Sequence, residues 1–529
     1  MRYVREPPMI LLDFPAVRPV RYAVLLTFAV LFLLTGAAWA EAFFVALDGA
    51  DDDARDGRSA EAAWKSLAYA CEHVPAGKHT IKVGPGTYVA TRTARPRNGV
   101  TIGGAGTRGE KRTRLIASTD WPLPPLKDYE GTEGRPEYLI GVEARQPSGE
   151  WLKPADLTIR HLELASDPKH RITGAVYCRD GTNVRLEHLH VHDFRWNGLR
   201  VEFSAQVEIA HCVIEDASTE KVPGREGGLI RTRWLSDARI HHNRIIARKT
   251  CGYGYKGGGH RKLRFDHNYV DTQYFAFESP FENELGVEID HNYLTRCISV
   301  PKPGQGADPT KEGFEYSFRI HHNVLTDSYT VEGPRNHLRL DHNWIRVEKP
   351  GGRVYTHHGG RSHGPVWVHH NVVENVDLNF IWMNEGLAEN IQVYNNTVFC
   401  AAERAGHLLD AWTAERLSGW VFKNNVAVAP ESQPRQVYPT ARGVPTKMTV
   451  THNLFVNFTE VPAGNLEADA PGLRCEGAKP VPFFLPAGSS SPVVDRGVDV
   501  GLPFHGKAPD LGAFEYGVKA WTLEDIPSP

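Results

Sequence analysis

One short segment recurs along this chain and limits what it can fold into: apolar-x-His-Asn-x-apolar. It appears as IHHNRI (240–245), FDHNYV (265–270), IDHNYL (289–294), IHHNVL (320–325), LDHNWI (340–345) and VHHNVV (368–373). It continues as VYNNTV (393–398), FKNNVA (422–427) and VTHNLF (450–455), and upstream without the Asn as IRHLEL (159–164), LEHLHV (186–191) and IAHCVI (209–214). From Leu162 to Asn453 the frame advances in eleven steps of about 26 residues. Each repeat holds one or two further β-rich runs, such as YFAFES (274–279), and no helical period. A unit this short cannot bury its apolar face alone, so it must stack on copies of itself as a parallel β-solenoid of about 12 or more coils. Coils about 4.8 Å apart put like side chains in ladders. Asn suits the bend, because its amide can bond the coils above and below and it tolerates left-handed dihedrals. Ten His (His161, His188, His211, His242, His267, His291, His322, His342, His370 and His452) fall one residue before it. A catalytic centre needs one constellation and not ten, so these read as a stacked, hydrogen-bonded column rather than a string of metal sites.

Composition agrees with a frequently turning, folded chain: 49 Gly and 36 Pro accompany 41% hydrophobic residues. Sixty Lys+Arg against 63 Asp+Glu, with no long basic run, exclude a phosphate-driven nucleic-acid binder. Arg18 and Arg21 precede an apolar stretch, residues 23–38, that closes with Ala38-Trp39-Ala40. That stretch is shorter than the ~20 residues of a membrane span, so residues 1–40 read as an export signal, with an uncleaved anchor as the alternative. A secreted or periplasmic protein is expected. Seven Cys without a C-x-x-C leave at least one thiol unpaired, as a small buried hydrophobe.

The two ends add a resemblance. Residues 43–89, with Asp48-Gly49, an amphipathic stretch from Ser59 to about Val74, and Pro85-Gly86-Thr87-Tyr88, resemble the opening segment of exported right-handed parallel β-helix proteins of the pectate-lyase-like superfamily. SPVVDRG (491–497) and DLGAFEY (510–516) resemble the closing motif of the same group. The resemblance implies an all-β, single-stranded right-handed parallel β-helix over residues 41–475. Its N-terminal cap (41–90) includes a capping helix with Ser59 as N-cap, and a C-terminal tail (476–529) packs back on the solenoid. The superfamily includes polysaccharide lyases, glycoside hydrolases, epimerases and non-catalytic members, so the fold does not decide the reaction.

Variation concentrated on one wall of a repeating solenoid is what a binding face looks like. The irregular runs upstream of each His-Asn corner, aligned coil by coil, place Arg231 and Arg233, Lys256, Glu278, Lys302, Glu332, His357, Asn384 or Glu385, and Asp410 in one outward column. His260, His358, Trp382, Trp412, Tyr255, Tyr274 and Phe281 flank it. Eight coils span about 40 Å, enough for a long oligosaccharide. Arg and Lys suit uronate carboxylates, and aromatic faces suit sugar rings. β-Elimination comes first: Lys256 is the leading base and His357 the next, Arg335 or Arg361 neutralises the carboxylate, and Glu278, Glu282 and Glu284 are possible Ca²⁺ ligands. Calcium-dependent β-helix lyases often follow an acidic pair with a catalytic Lys; here the nearest cation after Glu284 is Arg296. Hydrolysis is the alternative, with Glu278 and Glu332 two coils, about 9.6 Å, apart, at the upper edge of the inverting range. A non-catalytic polysaccharide binder is the third reading. A monomer without a nucleic-acid partner or a membrane span after signal cleavage completes the expectation.

Overall fold

The computed structural model of the chain describes residues 40–123, 137–142, 153–217, 227–247, 253–272, 275–277, 284–295, 308–326, 331–333, 337–348, 353–357, 365–383, 390–401, 406–411, 413, 419–442, 447–477 and 483–528. The chain winds as a right-handed parallel β-helix with three walls. In one coil it runs from Thr182–Glu187 on the first wall to His190–His192 on the second and Asn197–Glu202 on the third, then re-enters the first at Ala205–Ala210. The first and second walls are parallel sheets of 15 strands each. The third wall forms a six-stranded sheet, Tyr138–Val142 to Phe275–Phe277, and a four-stranded one, Val331–Gly333 to Leu409–Ala411. Alternation sends every second side chain inward. Val184, Leu186, Val207, Ile209, Leu263 and Phe265 therefore stack in one continuous core with no more than 2% exposure.

The repeated motif sits at the corner between the first two walls, and its two polar residues divide the work differently from the expectation. The left-handed backbone belongs to His and not to Asn: φ lies between 51° and 58° at all ten His of the column. Where His is absent, Asn395 (φ 50°) and Asn424 (φ 58°) take that position. His and Asn are the side chains that visit this region most readily. The following Asn is turned inside. Asn343 Nδ2 donates to Asn371 Oδ1 (3.0 Å), Ile320 O (2.8 Å) and Asp341 O (3.0 Å), while its Oδ1 accepts from Asn323 N (3.0 Å). Outside, the imidazoles stack with centroids 4.8 Å apart at His161–His188 and 5.2 Å at His291–His322. Their hydrogen bonds run sideways, as from His267 Nδ1 to Asp266 Oδ2 (2.8 Å), and not along the column.

The helix near the N-terminus, Leu67–His73, is shorter than the expected one and is capped by Ser66, whose side chain accepts from Tyr69 N. Trp64 N donates to Phe44 O (3.0 Å), so pairing with the first strand competes with helix before Ser66. Leu67, Ala70 and Cys71 bury against the first coils. At the other end, a hairpin of Leu473–Glu476 and Phe483–Pro486 leads into a tail that returns along the second wall. Phe514 and Trp521 cover Val324, Trp344 and Val372 there. The SPVVDRG and DLGAFEY motifs knot this tail: Asp510 accepts from Asp495 N (2.7 Å) and Tyr516 N (2.5 Å). Gly512, at φ 96°, lies where a Cβ would meet Thr397 Oγ1 at 2.7 Å. Cys71, Cys178, Cys212 and Cys400 are buried free thiols, as the odd count implied. Among the described residues no helix is long and apolar enough to cross a membrane, and the expected export signal lies outside them.

Candidate functional site on the third wall

The third wall carries a cluster of charged side chains between the strands of Tyr138–Val142 and Tyr253–Gly258. In its strands Val176, Cys178, Leu199, Val201, Ile230 and Thr232 are in the core, so the residues between them take the outer face. Register places Tyr177, Arg200, Arg231 and Lys256 one above another, and Arg179, Glu202, Arg233 and Gly258 in the neighbouring column. Arg200 Nη2 donates to Glu202 Oε2 (2.9 Å), and Tyr177 OH donates to the same oxygen (3.3 Å). The Arg200 guanidinium also lies 4.7 Å from the Tyr177 ring centre and 5.6 Å from that of Trp196, and the Arg231 guanidinium lies 5.4 Å from the same Trp196 ring. Asn197 Nδ2 donates to Tyr138 OH (3.2 Å) beneath them.

The cluster is polar yet nearly dry: Glu202 is 2% exposed and Arg231 9%. Burial opposes ionisation of Glu202, but Arg200, then Arg231 and Arg233, hold its carboxyl below the ordinary range. Burial would lower Arg200 as well, and Glu202, Tyr138 and Tyr177 outweigh it. Arg231 goes the other way. Burial, Arg200 and Arg233 push it down to about 10, so the guanidiniums outweigh the carboxylate that they share. Such a site favours an incoming anion, for which Arg forks offer paired N–H donors in low dielectric. Glu137, one residue before the first strand of this wall, is pushed up to about 7 by burial.

Of the sequence-derived candidates, Arg231, Arg233 and Lys256 meet on this face. The coil alignment slips beyond them: Lys256 is in register with Ala276, and Glu332 with Thr356 and Trp382. Trp382 aligns with Asp410, and His357 with Gly333 and Met383. Arg353 lies over the Trp382 ring at 3.7 Å, and Asp410 Oδ2 is 3.9 Å from His407 Nδ1. His260 faces inward instead. It is fully buried, bonds Thr232 Oγ1 (3.2 Å) and Tyr255 OH (3.1 Å), accepts from Leu235 N (3.2 Å), and is pushed down to about 3 by burial. Tyr255 likewise belongs to the core, edge-on to Phe265, and offers no face to a sugar. Glu284 is 3% exposed and clamps the same corner, accepting from Gly259 N and His260 N, both at 2.6 Å. Glu278, Glu282, Lys302, Arg335, His358, Arg361, Asn384, Glu385, Tyr274, Phe281 and Trp412 lie outside the described residues. Tyr138, Tyr177, Trp196, Arg200 and Glu202 were not anticipated. The signal was present in GAVYCR, NGLRVE and GLIRTR, three runs that place polar residues at the same alternating positions.

No family model matches the chain, and no curated protein matches it. Solved structures do. The tailspike protein of E. coli bacteriophage HK620, in complex with a pentasaccharide, shares 8% identity at a TM-score of 0.46, over 76% of this chain and 70% of that one. The catalytic unit of a GH87 alpha-1,3-glucanase from Streptomyces thermodiastaticus strain HF3-3 shares 11% at 0.43, over 75% and 66%. Pectate lyase Pel9A shares 15% at 0.28, over 91% and 98%. The fold rests on the strand pairing described above, and none of these likenesses bears on the chemistry. By its own register the chain is a right-handed parallel β-helix, the architecture that the resemblance of its two ends implied.

Proposed function

We propose that the third wall binds an acidic polysaccharide and that the protein cleaves it by β-elimination. The observation that carries this reading is the column Arg200, Arg231 and Lys256 in register on successive coils, with the buried Glu202 held between Arg200 and the exposed Arg233. Arg231, with Arg200 beside it, takes the uronate carboxylate, and spreading that charge over the guanidinium acidifies the proton on the α carbon. Lys256, one coil or about 4.8 Å along, removes that proton in its neutral amine form. The freed electron pair closes a double bond to the β carbon, and the glycosidic oxygen leaves with its own pair and is protonated to a hydroxyl. Both Glu284 oxygens accept backbone N–H groups, so this chain's arginines carry the charge in this account.

Purified protein incubated with sodium polygalacturonate or alginate, with and without added Ca²⁺, should develop the near-ultraviolet absorbance of an unsaturated uronate. Lys256→Ala should lose this by at least a hundredfold, the scale of a missing general base, with an unchanged melting temperature. Full activity in Lys256→Ala would remove it as the base. Hydrolysis is the alternative reaction, and Glu137 and Glu202 are not its acid–base pair, because register places them two coils and six residues apart. Reducing ends without the absorbance would select it, and retention on a polysaccharide gel without either product would leave a binding protein.

A further inference from the structure

The corner that follows the third-wall strands is a second column of left-handed backbone. It comprises Asp180 (φ 54°), Phe203 (φ 54°), Trp234 (φ 48°) and Gly259 (φ 76°). Their amides stack in order, Asp180 N to Glu202 O, Phe203 N to Arg233 O and Trp234 N to Gly258 O. Asp and Gly are the residue types such a corner wants, whereas a bulky aromatic ring in this region is a strained outlier. Phe203 and Trp234 are the only apolar side chains among the described non-glycine residues at positive φ. Burial does not explain them, because each is 37% exposed. The two rings lie nearly parallel, with centroids 4.3 Å apart and planes 20° from one another. Arg179 stands 4.6 Å from the Phe203 ring and Arg233 5.8 Å from the Trp234 ring.

Strain kept at an exposed position points to function rather than to stability. We infer that Phe203 and Trp234 form a stacking subsite for an acidic sugar: the sugar ring lies on the face of Trp234 turned away from Phe203, toward the Gly259 coil, while Arg233 meets its carboxylate and Arg179, paired with Asp180 (3.4 Å), backs Phe203. This rests on the proposed reading of the third wall and extends that site from the Arg200–Lys256 column to the adjoining corner. The occupant follows from charge complementarity: Asp180 is paired with Arg179 and Glu202 with Arg200, which leaves the exposed Arg233 as the cation beside the Trp234 ring. The rings would then fix a uronate unit neighbouring the one that reacts.

The test is the double substitution Phe203→Asn with Trp234→Asn, which gives the corner a residue suited to its backbone. Affinity for oligogalacturonate by calorimetry should fall about tenfold or more, equal to ~1.4 kcal/mol, with a melting temperature no lower than wild type. Glycine at both positions, matching Gly259, should behave alike, and Trp234→Phe should retain binding. Wild-type affinity in both double variants would overturn the inference while leaving the proposed function standing. A collapse of the melting temperature in both would overturn it too, by showing that the pair serves packing. A wild-type protein that binds neither polygalacturonate nor alginate would end both readings.

Discussion

At the scale of single residues, the first wall follows a diagonal rule. A charged side chain reaches from one coil to the position two residues further on in the next coil. Arg239 binds Asp266, Arg264 binds Asp290 and Arg319 binds Asp341 through paired bonds of 2.6 to 3.1 Å. At two coils the receiving residue is His and the donor position carries an acid, Glu208 meeting His241 (3.1 Å) and Glu288 meeting His321 (2.7 Å), whereas opposite His369 the donor position holds Arg339, which pairs with Glu315 instead. The receiving aspartates are fully buried, so losing one partner strands a charge. Arg264→Glu or Asp290→His alone should therefore cost about 3 kcal/mol or more. The two together recreate the Glu–His form, and urea unfolding should show a favourable coupling of about 1–3 kcal/mol. Additive losses would show that the rule is coincidence.

At the scale of elements, the Asn ladder holds the corner. Asn343 has no exposed surface and links three coils, so Asn343→Ala removes bonds on both sides and leaves backbone carbonyls of Ile320 and Asp341 without that donor. A loss of about 2–4 kcal/mol is expected from the desolvation of those groups, measured by chemical denaturation. Asn465, on the last rung and partly exposed, should cost about 1 kcal/mol. This contrast also shows what the sequence could disclose. The ladder and the walls were legible because each coil repeats one environment, so His-Asn recurs at a fixed frame. The backbone role of each was not, because both residues suit a bend and only coordinates say which of the two turns. The binding wall was half legible. Lys256, Arg231 and Arg233 sit where alternation puts them, but insertions of unequal length shift the later coils, moving Thr356 and not His357 beside Trp382. His260 and Glu284 resemble site residues in the string, yet they serve a corner where buried N–H groups and a hydroxyl need partners.

At the scale of the whole molecule, the His column makes stability depend on pH with a definite sign. Burial and neighbouring imidazoles push His322 down to about 3, and burial pushes His369 down to about 4; His211, His242 and His370 are lowered for the same first reason. An unfolded His titrates near 6.5. Between that value and the folded ones, the unfolded chain binds protons that the native column refuses, so stability is lost as pH falls below about 6.5 and is flat above it. Each fully buried ring contributes a slope of at most about 1.4 kcal/mol per pH unit, less for the half-exposed ones. Three carboxyls oppose this trend, and burial raises Asp510 among them. Glu137 and Glu515 are each raised to about 7 by burial, which strengthens the fold as pH drops through that value. Among the described residues nine lowered imidazoles, in the column and elsewhere, stand against three raised carboxyls and set the net direction, and the melting temperature should fall by several degrees between pH 7.5 and 5. His322→Asn with His370→Asn keeps a residue that the same corner already uses at Asn395 and Asn424, and so removes two lowered imidazoles without losing the backbone. Thermal unfolding of this pair should show a shallower dependence than wild type. An unchanged slope would mean that the acid sensitivity lies outside the column.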